Sequence, residues 1–376
     1  MSKNLYIFGS DANARFLASQ FASRHDSWLR TSLLFHKDPI LKNYFINGSK
    51  ITYENALNRF NPVRITYEIP ALLRPEQERS SRQVPDRHID NLIVTNPDLE
   101  KSTALQEYKE YISEDTNVIF VNPGLGAVET ATRGLLGHPH IWQALSTHIV
   151  ENGKNFDIKH LKAGDFRVCA CPTSESFLDF VQLQEKLFPN DREVPMVIKK
   201  LLELPMLGAL YFPYKEVYTS QLEKVMVDCC IYPLVSLFET DLQRLSSIRS
   251  IERTISSIID ECLLVLGNLN RVKSLRKVDP TINAILDKQR MFDIILQIIG
   301  TVNVKSPSFR NSKSTILQAK MLPSVGFSRR FDLRSTNGYI VKLGREQNID
   351  TPVNRTLMDL VVGRQSIDND NGEVIL

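Results

Sequence analysis

Strand-sized apolar runs alternate with helix-sized amphipathic ones through the first half of this chain, and that alternation admits few folds. Leu5–Gly9 reads as a strand, Ala12–Ser23 as an amphipathic helix and Thr31–His36 as a second strand. Asn91–Thr95 and Asn117–Val121 are apolar runs bounded by turn residues, with the helical pattern Ser102–Ile112 between them. Val63–Glu68, Asp157–His160 and Phe166–Cys171 add three further strands, and Arg74–His88, holding Pro75 and Pro85, reads as a polar loop. Strand, helix, strand at this spacing is the signature of a βαβ unit with a parallel sheet. It predicts a Rossmann-like α/β domain over residues 1–190.

Beyond Pro189 the strand pattern stops. Lys215–Glu239, Leu245–Leu266, Thr281–Val302, Leu333–Gln347 and Asn354–Val362 place apolar residues at three- and four-residue steps, with Pro and Gly between them. These predict an all-helical domain over residues 191–376, with a boundary near Phe188-Pro-Asn-Asp191. The tail Asp368-Asn-Asp-Asn-Gly372 is expected to fray.

With 376 residues, 42% of them hydrophobic, the chain can bury a core in each domain. No apolar run reaches the roughly 18 residues of a membrane-spanning helix. The five cysteines are odd in number, and Cys169-Ala-Cys171 is not a metal-ligand spacing, so free and mostly buried thiols are expected. No P-loop and no G-x-S-x-G stands in the sequence. The seven histidines are scattered, and His36, His138, His140 and His148 read as surface or turn residues. A strand-like run begins two residues after Lys3, so a secretory signal or cleavable transit peptide is not expected. Lys3, Arg15, Arg24 and Arg30 leave at most a weak internal import signal.

The net charge of +3 conceals an asymmetry. Arg271–Arg345 holds fifteen Lys/Arg and four Asp/Glu, a local +11 that leaves −8 for the remainder. An excess of that size attracts polyanions such as RNA, although a solvated helical face has the same composition.

The first strand runs into Gly9-Ser-Asp-Ala-Asn-Ala14, where a dinucleotide-binding domain carries G-x-G-x-x-G/A. Gly9 and Ala14 satisfy the first and third positions, but Asp11 takes the second. Its carboxylate would stand where pyrophosphate lies, at a helix N-terminus otherwise suited to anions. Asp11 is also a good helix N-cap. The loop predicts weak or absent dinucleotide binding.

The second half carries a family pattern. Gln221-Leu-Glu-Lys224-Val-Met-Val-Asp228-Cys-Cys-Ile-Tyr232-Pro-Leu resembles the K-x-x-x-N-x-x-x-N-P-L signature of ketopantoate reductases. Lys320–Asp332, Asn337-Gly-Tyr-Ile-Val341 and Thr351-Pro-Val-Asn354 follow in the family's order, and Pro123-Gly-Leu-Gly-Ala-Val-Glu129 is similar to its N-G-L-G-x-x-E turn. The resemblance implies a Rossmann domain followed by a helical domain of the 6-phosphogluconate-dehydrogenase type, and NADPH-dependent reduction of ketopantoate. It assigns general acid to Lys224 and a substrate-hydroxyl contact to Asp332, and places Gly9, Asp11, Ala14 and Gly124 along the cofactor.

Departures from the pattern are numerous. Asp228 and Tyr232 stand where the family has asparagines, on one helical stripe with Lys224. Pro123, or Asn122 beside it, replaces the turn asparagine, Pro97 a lysine, and Ala319, Lys320, Pro323 and Ser324 the Ser-Ser and Gln-Asp positions. Fungal relatives of the family include a mitochondrial translational activator of cytochrome b messenger RNA, which the resemblance likewise fits. The reading that follows is a non-catalytic family member binding no cofactor, mitochondrial, and partnered with ribosome or mRNA through residues 271–345. The alternative is a cytoplasmic 2-dehydropantoate 2-reductase using NADP(H), and a homodimer is left open.

Overall fold

The computed structural model describes residues 3–24, 29–58, 60–73, 88–96, 103–133, 135, 138–172, 194–240, 242–300 and 333–370. They form two compact units, one ending at Val217 and the other beginning at Tyr218.

The first unit is built on β1 (Lys3–Phe8), α1 (Ala12–Ala22), β2 (Leu29–Leu34), α2 (Asp38–Ile46), β3 (Lys50–Asn55), β4 (Val63–Glu68) and β5 (Ala71–Leu72). It continues through β6 (Asn91–Thr95), β7 (Asn117–Val121), α3 (Ala127–Thr132), β8 (His140–Ser146), β9 (Ile149–Asn152), β10 (Ile158–Lys162), β11 (Phe166–Ala170), α4 (Met196–Leu202) and β12 (Ala209–Tyr211). Eight strands make one sheet in the order β12-β11-β8-β7-β6-β1-β2-β5, parallel apart from the β8–β11 pair. In β1, Leu5 and Ile7 face the core shared with α1, while Tyr6 and Phe8 face a second core with Leu105 and Tyr108. A strand buried on both faces reads as a continuous apolar run, as this one does. A separate four-stranded sheet, β4-β3-β10-β9, packs Ile51, Tyr53 and Ile158 into the α1 core.

The first unit extends past residue 190. Val197, Ile198 and Leu201 of α4 join its core, and β12 pairs with β11. A three-residue strand has no legible alternation, so the pattern broke off before the domain did.

The second unit is helical among the described residues. A long helix, α5 (Tyr214–Phe238), begins in the first unit and enters the second. There follow α6 (Leu242–Leu245), α7 (Ile251–Gly267), α8 (Asn270–Val278), α9 (Ile282–Ile285), α10 (Lys288–Ile298), α11 (Asn337–Gln347) and α12 (Pro352–Asp370). Ile255, Ile258, Ile259, Cys262 and Leu266 give α7 a buried stripe at three- and four-residue steps. The helix α12 runs to Asp370, beyond the apolar pattern that ended at Val362 and into the tail expected to fray. All five cysteines are free, four of them buried.

Candidate functional site

The C-terminal ends of β1, β6 and β7 lie side by side, and the chain reverses its direction of travel across the sheet between β1 and β6. In open α/β sheets that switch point is the ligand crevice. Gly9 follows β1 with φ +145°, and a Cβ there would stand 2.5 Å from the Thr95 hydroxyl, so the glycine is required by both conformation and space. Asp11 caps α1, as its residue type predicts. One carboxylate oxygen accepts from the backbone N–H of Asn13 at 3.0 Å and of Ala14 at 3.2 Å, and from the Asn96 amide at 3.0 Å. The other accepts from the Thr95 hydroxyl at 2.7 Å. The Asn13 and Ala14 N–H groups, which an anion at this helix start could use, are therefore satisfied by a covalently tethered carboxylate. Asp11 thus takes two of the donors at this helix start and adds a charge of the same sign as a pyrophosphate.

The turn after β7 is likewise engaged. Asn122, with φ +51°, accepts the Ser146 N–H at 2.8 Å and ties β7 to β8, while Pro123 is buried. Gly124 contributes its carbonyl to the first turn of α3, at 3.0 Å from the Ala127 nitrogen.

On α5, Lys224 and Asp228 stand one turn apart and pair at 2.5 Å, their side chains 33% and 10% exposed. Burial opposes the lysine charge, but the Asp228 carboxylate and Tyr232 outweigh it and hold Lys224 protonated above its ordinary range. Burial raises the Asp228 carboxyl, with Lys224 and a hydrogen bond from Tyr232 working against the rise. The Tyr232 hydroxyl is pushed up to about 12 by burial and by the Asp228 charge. Lys224 is thus an acid held by its neighbour, and releasing its proton would leave a buried carboxylate without its cation.

A buried network braces this helix. Pro233 has no N–H for the Cys229 carbonyl four residues earlier, and the Asn337 amide donates to that carbonyl at 3.1 Å instead. Asn337 also donates to the Asn354 side-chain oxygen at 2.9 Å, and the Asn354 amide donates to Glu261 at 2.7 Å. Glu261, from α7, accepts the backbone N–H of Val353 at 2.7 Å and of Asn354 at 2.9 Å, capping α12 from outside. Pro233, Asn337 and Asn354 were visible as motif positions. Glu261 was not, because a cap delivered 92 residues away in sequence leaves no local signal.

Asp332, with Ala319, Lys320, Pro323 and Ser324, lies outside the described residues, as do Pro97 and the basic residues from Lys305 to Arg330. Four cations at the start of the basic segment, Arg271, Lys273, Arg276 and Lys277, do not share one charged surface: Arg271 lies 5.6 Å over the Tyr218 ring, and Arg276 donates to the Gly267 carbonyl at 3.0 Å, closing the end of α7. Only Lys273 and Lys277 of the four are exposed. His148 is not a surface residue. It is 9% exposed, its Nε2 meets the Leu207 carbonyl at 2.8 Å, and its Nδ1 meets Nε2 of buried His160 at 3.0 Å. A carbonyl only accepts, so His148 donates from Nε2 and accepts at Nδ1, where the Gly164 N–H donates at 3.1 Å; the His160 Nδ1 lies 2.9 Å from the Tyr53 hydroxyl. The His148 ring is neutral in this arrangement.

Comparison with known proteins settles the family. Residues 6–171 match the family profile described as "Ketopantoate reductase PanE/ApbA", and residues 216–365 its C-terminal counterpart. The chain belongs to the ketopantoate reductase family. It is 25% identical to a Schizosaccharomyces pombe protein named "Probable 2-dehydropantoate 2-reductase", covering 97% of each chain. It is 26% identical to a Saccharomyces cerevisiae 2-dehydropantoate 2-reductase, covering 96% of this chain and 94% of that one. It is 22% identical to the cytochrome B translational activator CBS2 of the same yeast, covering 96% and 95%. Among solved structures, a PanE/ApbA family ketopantoate reductase from Ralstonia eutropha superposes with a TM-score of 0.62 at 14% identity, covering 95% of this chain and 97% of that one. No described helix is long and apolar enough to cross a membrane.

Proposed function

We propose that this ketopantoate-reductase-fold protein does not reduce ketopantoate and serves as a binding protein in mitochondrial gene expression. The observation that carries the first half is the Asp11 carboxylate, which takes the Asn13 and Ala14 N–H groups and the Thr95 and Asn96 side chains at the switch point. Removing one polar group that stabilises a transition state costs roughly 2–4 kcal/mol. Here the cofactor loop and two asparagine positions of the signature change together, and Asp228 adds a charge that repels an anionic keto acid. Likeness to a cytochrome B translational activator over 96% of the chain supports the second half, as does the basic composition of residues 271–345.

A second reading, an NADPH-dependent 2-dehydropantoate 2-reductase with Lys224 as acid, draws on the two relatives that carry that name. Fluorescence titration of the full chain with NADPH, beside a ketopantoate turnover assay, separates the two. The proposal expects neither saturable binding in the micromolar range nor turnover above buffer. Saturable binding with turnover abolished by Lys224→Ala establishes the second reading. For the partner, Lys273→Gln with Lys277→Gln should weaken association with mitochondrial ribosomes or RNA. Its salt dependence should fall by about one log–log unit for each phosphate that is no longer neutralised. Equal binding by variant and native protein at two salt concentrations would remove these lysines from the interface.

A further inference from the structure

The four-stranded sheet ends on β4, and no strand pairs with its outer side among the described residues. Open strand edges are templates for pairing with another chain, and proteins either blunt them or use them. The strand reads Val63-Arg-Ile-Thr-Tyr-Glu68, with Val63 51% and Ile65 44% exposed. Two of its residues are already half of a charge pattern: Arg64 bonds Glu54 of β3 at 2.6 Å, and Glu68 bonds Lys50 of β3 at 3.0 Å. Arg64 and Glu68 nevertheless keep 66% and 76% of their side chains exposed. Between these rows the Thr52 and Thr66 hydroxyls meet at 3.2 Å.

We infer that β4 is a homodimer interface, pairing antiparallel with β4 of a second copy about a two-fold axis through Thr66. Opposite residues in an antiparallel pair share a face. That axis sets Arg64 opposite Glu68 of the second copy, Ile65 opposite Tyr67, and Thr66 opposite Thr66. With the observed β3–β4 register, each charged row then reads Lys50, Glu68, Arg64, Glu54 across the two copies, alternating in sign throughout. The threonine row becomes Thr52, Thr66, Thr66, Thr52, and the other face reads Tyr53, Ile65, Tyr67, Ile51. Register decides this arrangement. Moving the axis one residue, to Ile65 or Tyr67, sets Arg64 or Glu68 opposite Thr66 and removes both new ion pairs. The strand is self-complementary in one register on both faces, as an isologous interface requires. Pairing also joins the two four-stranded sheets into one and removes the edge.

Sedimentation velocity on the full chain tests this over a concentration series up to about 100 μM, where weak dimers of this class assemble. The native chain should dimerise. Arg64→Glu sets Glu against Glu in both charged rows and Glu68→Arg sets Arg against Arg, so each should weaken self-association at least ~tenfold. An equimolar mixture of the two variants restores opposite charges in both rows and should regain the dimer. Thr66→Cys should give an oxidised dimer on a non-reducing gel, because the two thiols meet on the axis, whereas Arg64→Cys should not. Melting curves check that the variants fold: the Lys50–Glu68 pair is exposed and contributes little, whereas Arg64→Glu takes a cation from Glu54, 12% exposed, and leaves it Lys159 at 4.0 Å. A monomeric native chain at the highest concentration overturns the inference. So does a dimer that either charge reversal leaves intact, or a mixture that associates no better than its components.

Discussion

Replacing Asp11 separates the two jobs its carboxylate could hold. In Asp11→Gly, α1 loses the cap to Asn13 and Ala14, Asn96 loses an acceptor, and the Thr95 hydroxyl, 0% exposed, loses its 2.7 Å acceptor. Glycine at a cap costs a few tenths of a kcal/mol, and a buried hydroxyl deprived of such an acceptor about 1–2 kcal/mol, so the loss should be about 2 kcal/mol. For a unit of about 200 residues this lowers the melting temperature by roughly 4–8 °C. The same substitution removes the carboxylate from the loop, so under the proposed function NADPH binding should be measurable in Asp11→Gly and not in the native chain. Asp11→Asn keeps the acceptor oxygen and removes the charge: if charge is the main obstacle it gains nearly as much affinity as glycine, and if volume is, it gains none. Calorimetric melting and NADPH fluorescence, run on all three proteins, give both quantities. Native protein that binds NADPH at low micromolar concentration, or an Asp11→Gly protein that neither melts lower nor binds, would refute the reasoning.

Three further outcomes are expected. Asp228→Asn, which installs the family residue, removes the charge that holds Lys224 protonated, and burial then pulls the lysine down; 13C NMR titration of the lysine ε-carbons should show one resonance moving to lower pH, and an unmoved Lys224 contradicts the pairing. Burial and the nearby His148 push His160 down to about 4, and His148 is lowered by burial as well, so their contribution to stability is complete above the ordinary histidine value near 6.5 and is lost as pH falls toward 4. Urea unfolding should lose roughly 2–3 kcal/mol from this source over that range, and His160→Gln should flatten the dependence; an equally steep profile in the variant would sink the assignment. Glu261→Ala strips the cap from α12 and leaves the Asn354 amide without its acceptor, for a loss of about 2–3 kcal/mol by urea unfolding, whereas an effect under about 0.5 kcal/mol would mean that water replaces the carboxylate.

Local pattern determined much of this protein. Leu5–Phe8, Asn91–Thr95 and Asn117–Val121 announce strands because a strand buried on both faces must be apolar throughout, and α7 announces itself because one stripe of a helix meets the core. Asp11 was legible as a cap, and Lys224, Asp228 and Tyr232 as one stripe, because each relation spans no more than two helical turns. What the tertiary structure decided are relations between residues far apart in sequence. Thr95 and Asn96 reach Asp11 across 84 and 85 positions, Glu261 reaches α12 across 92, and His148 is buried because His160 and Leu207 are brought to it. Arg276 counts toward the basic excess of residues 271–345, yet the fold sets it against the end of α7. A polar side chain carries no local mark of its partner: its hydrogen-bonding needs are fixed by its type, but who satisfies them is settled only when strands and helices pack.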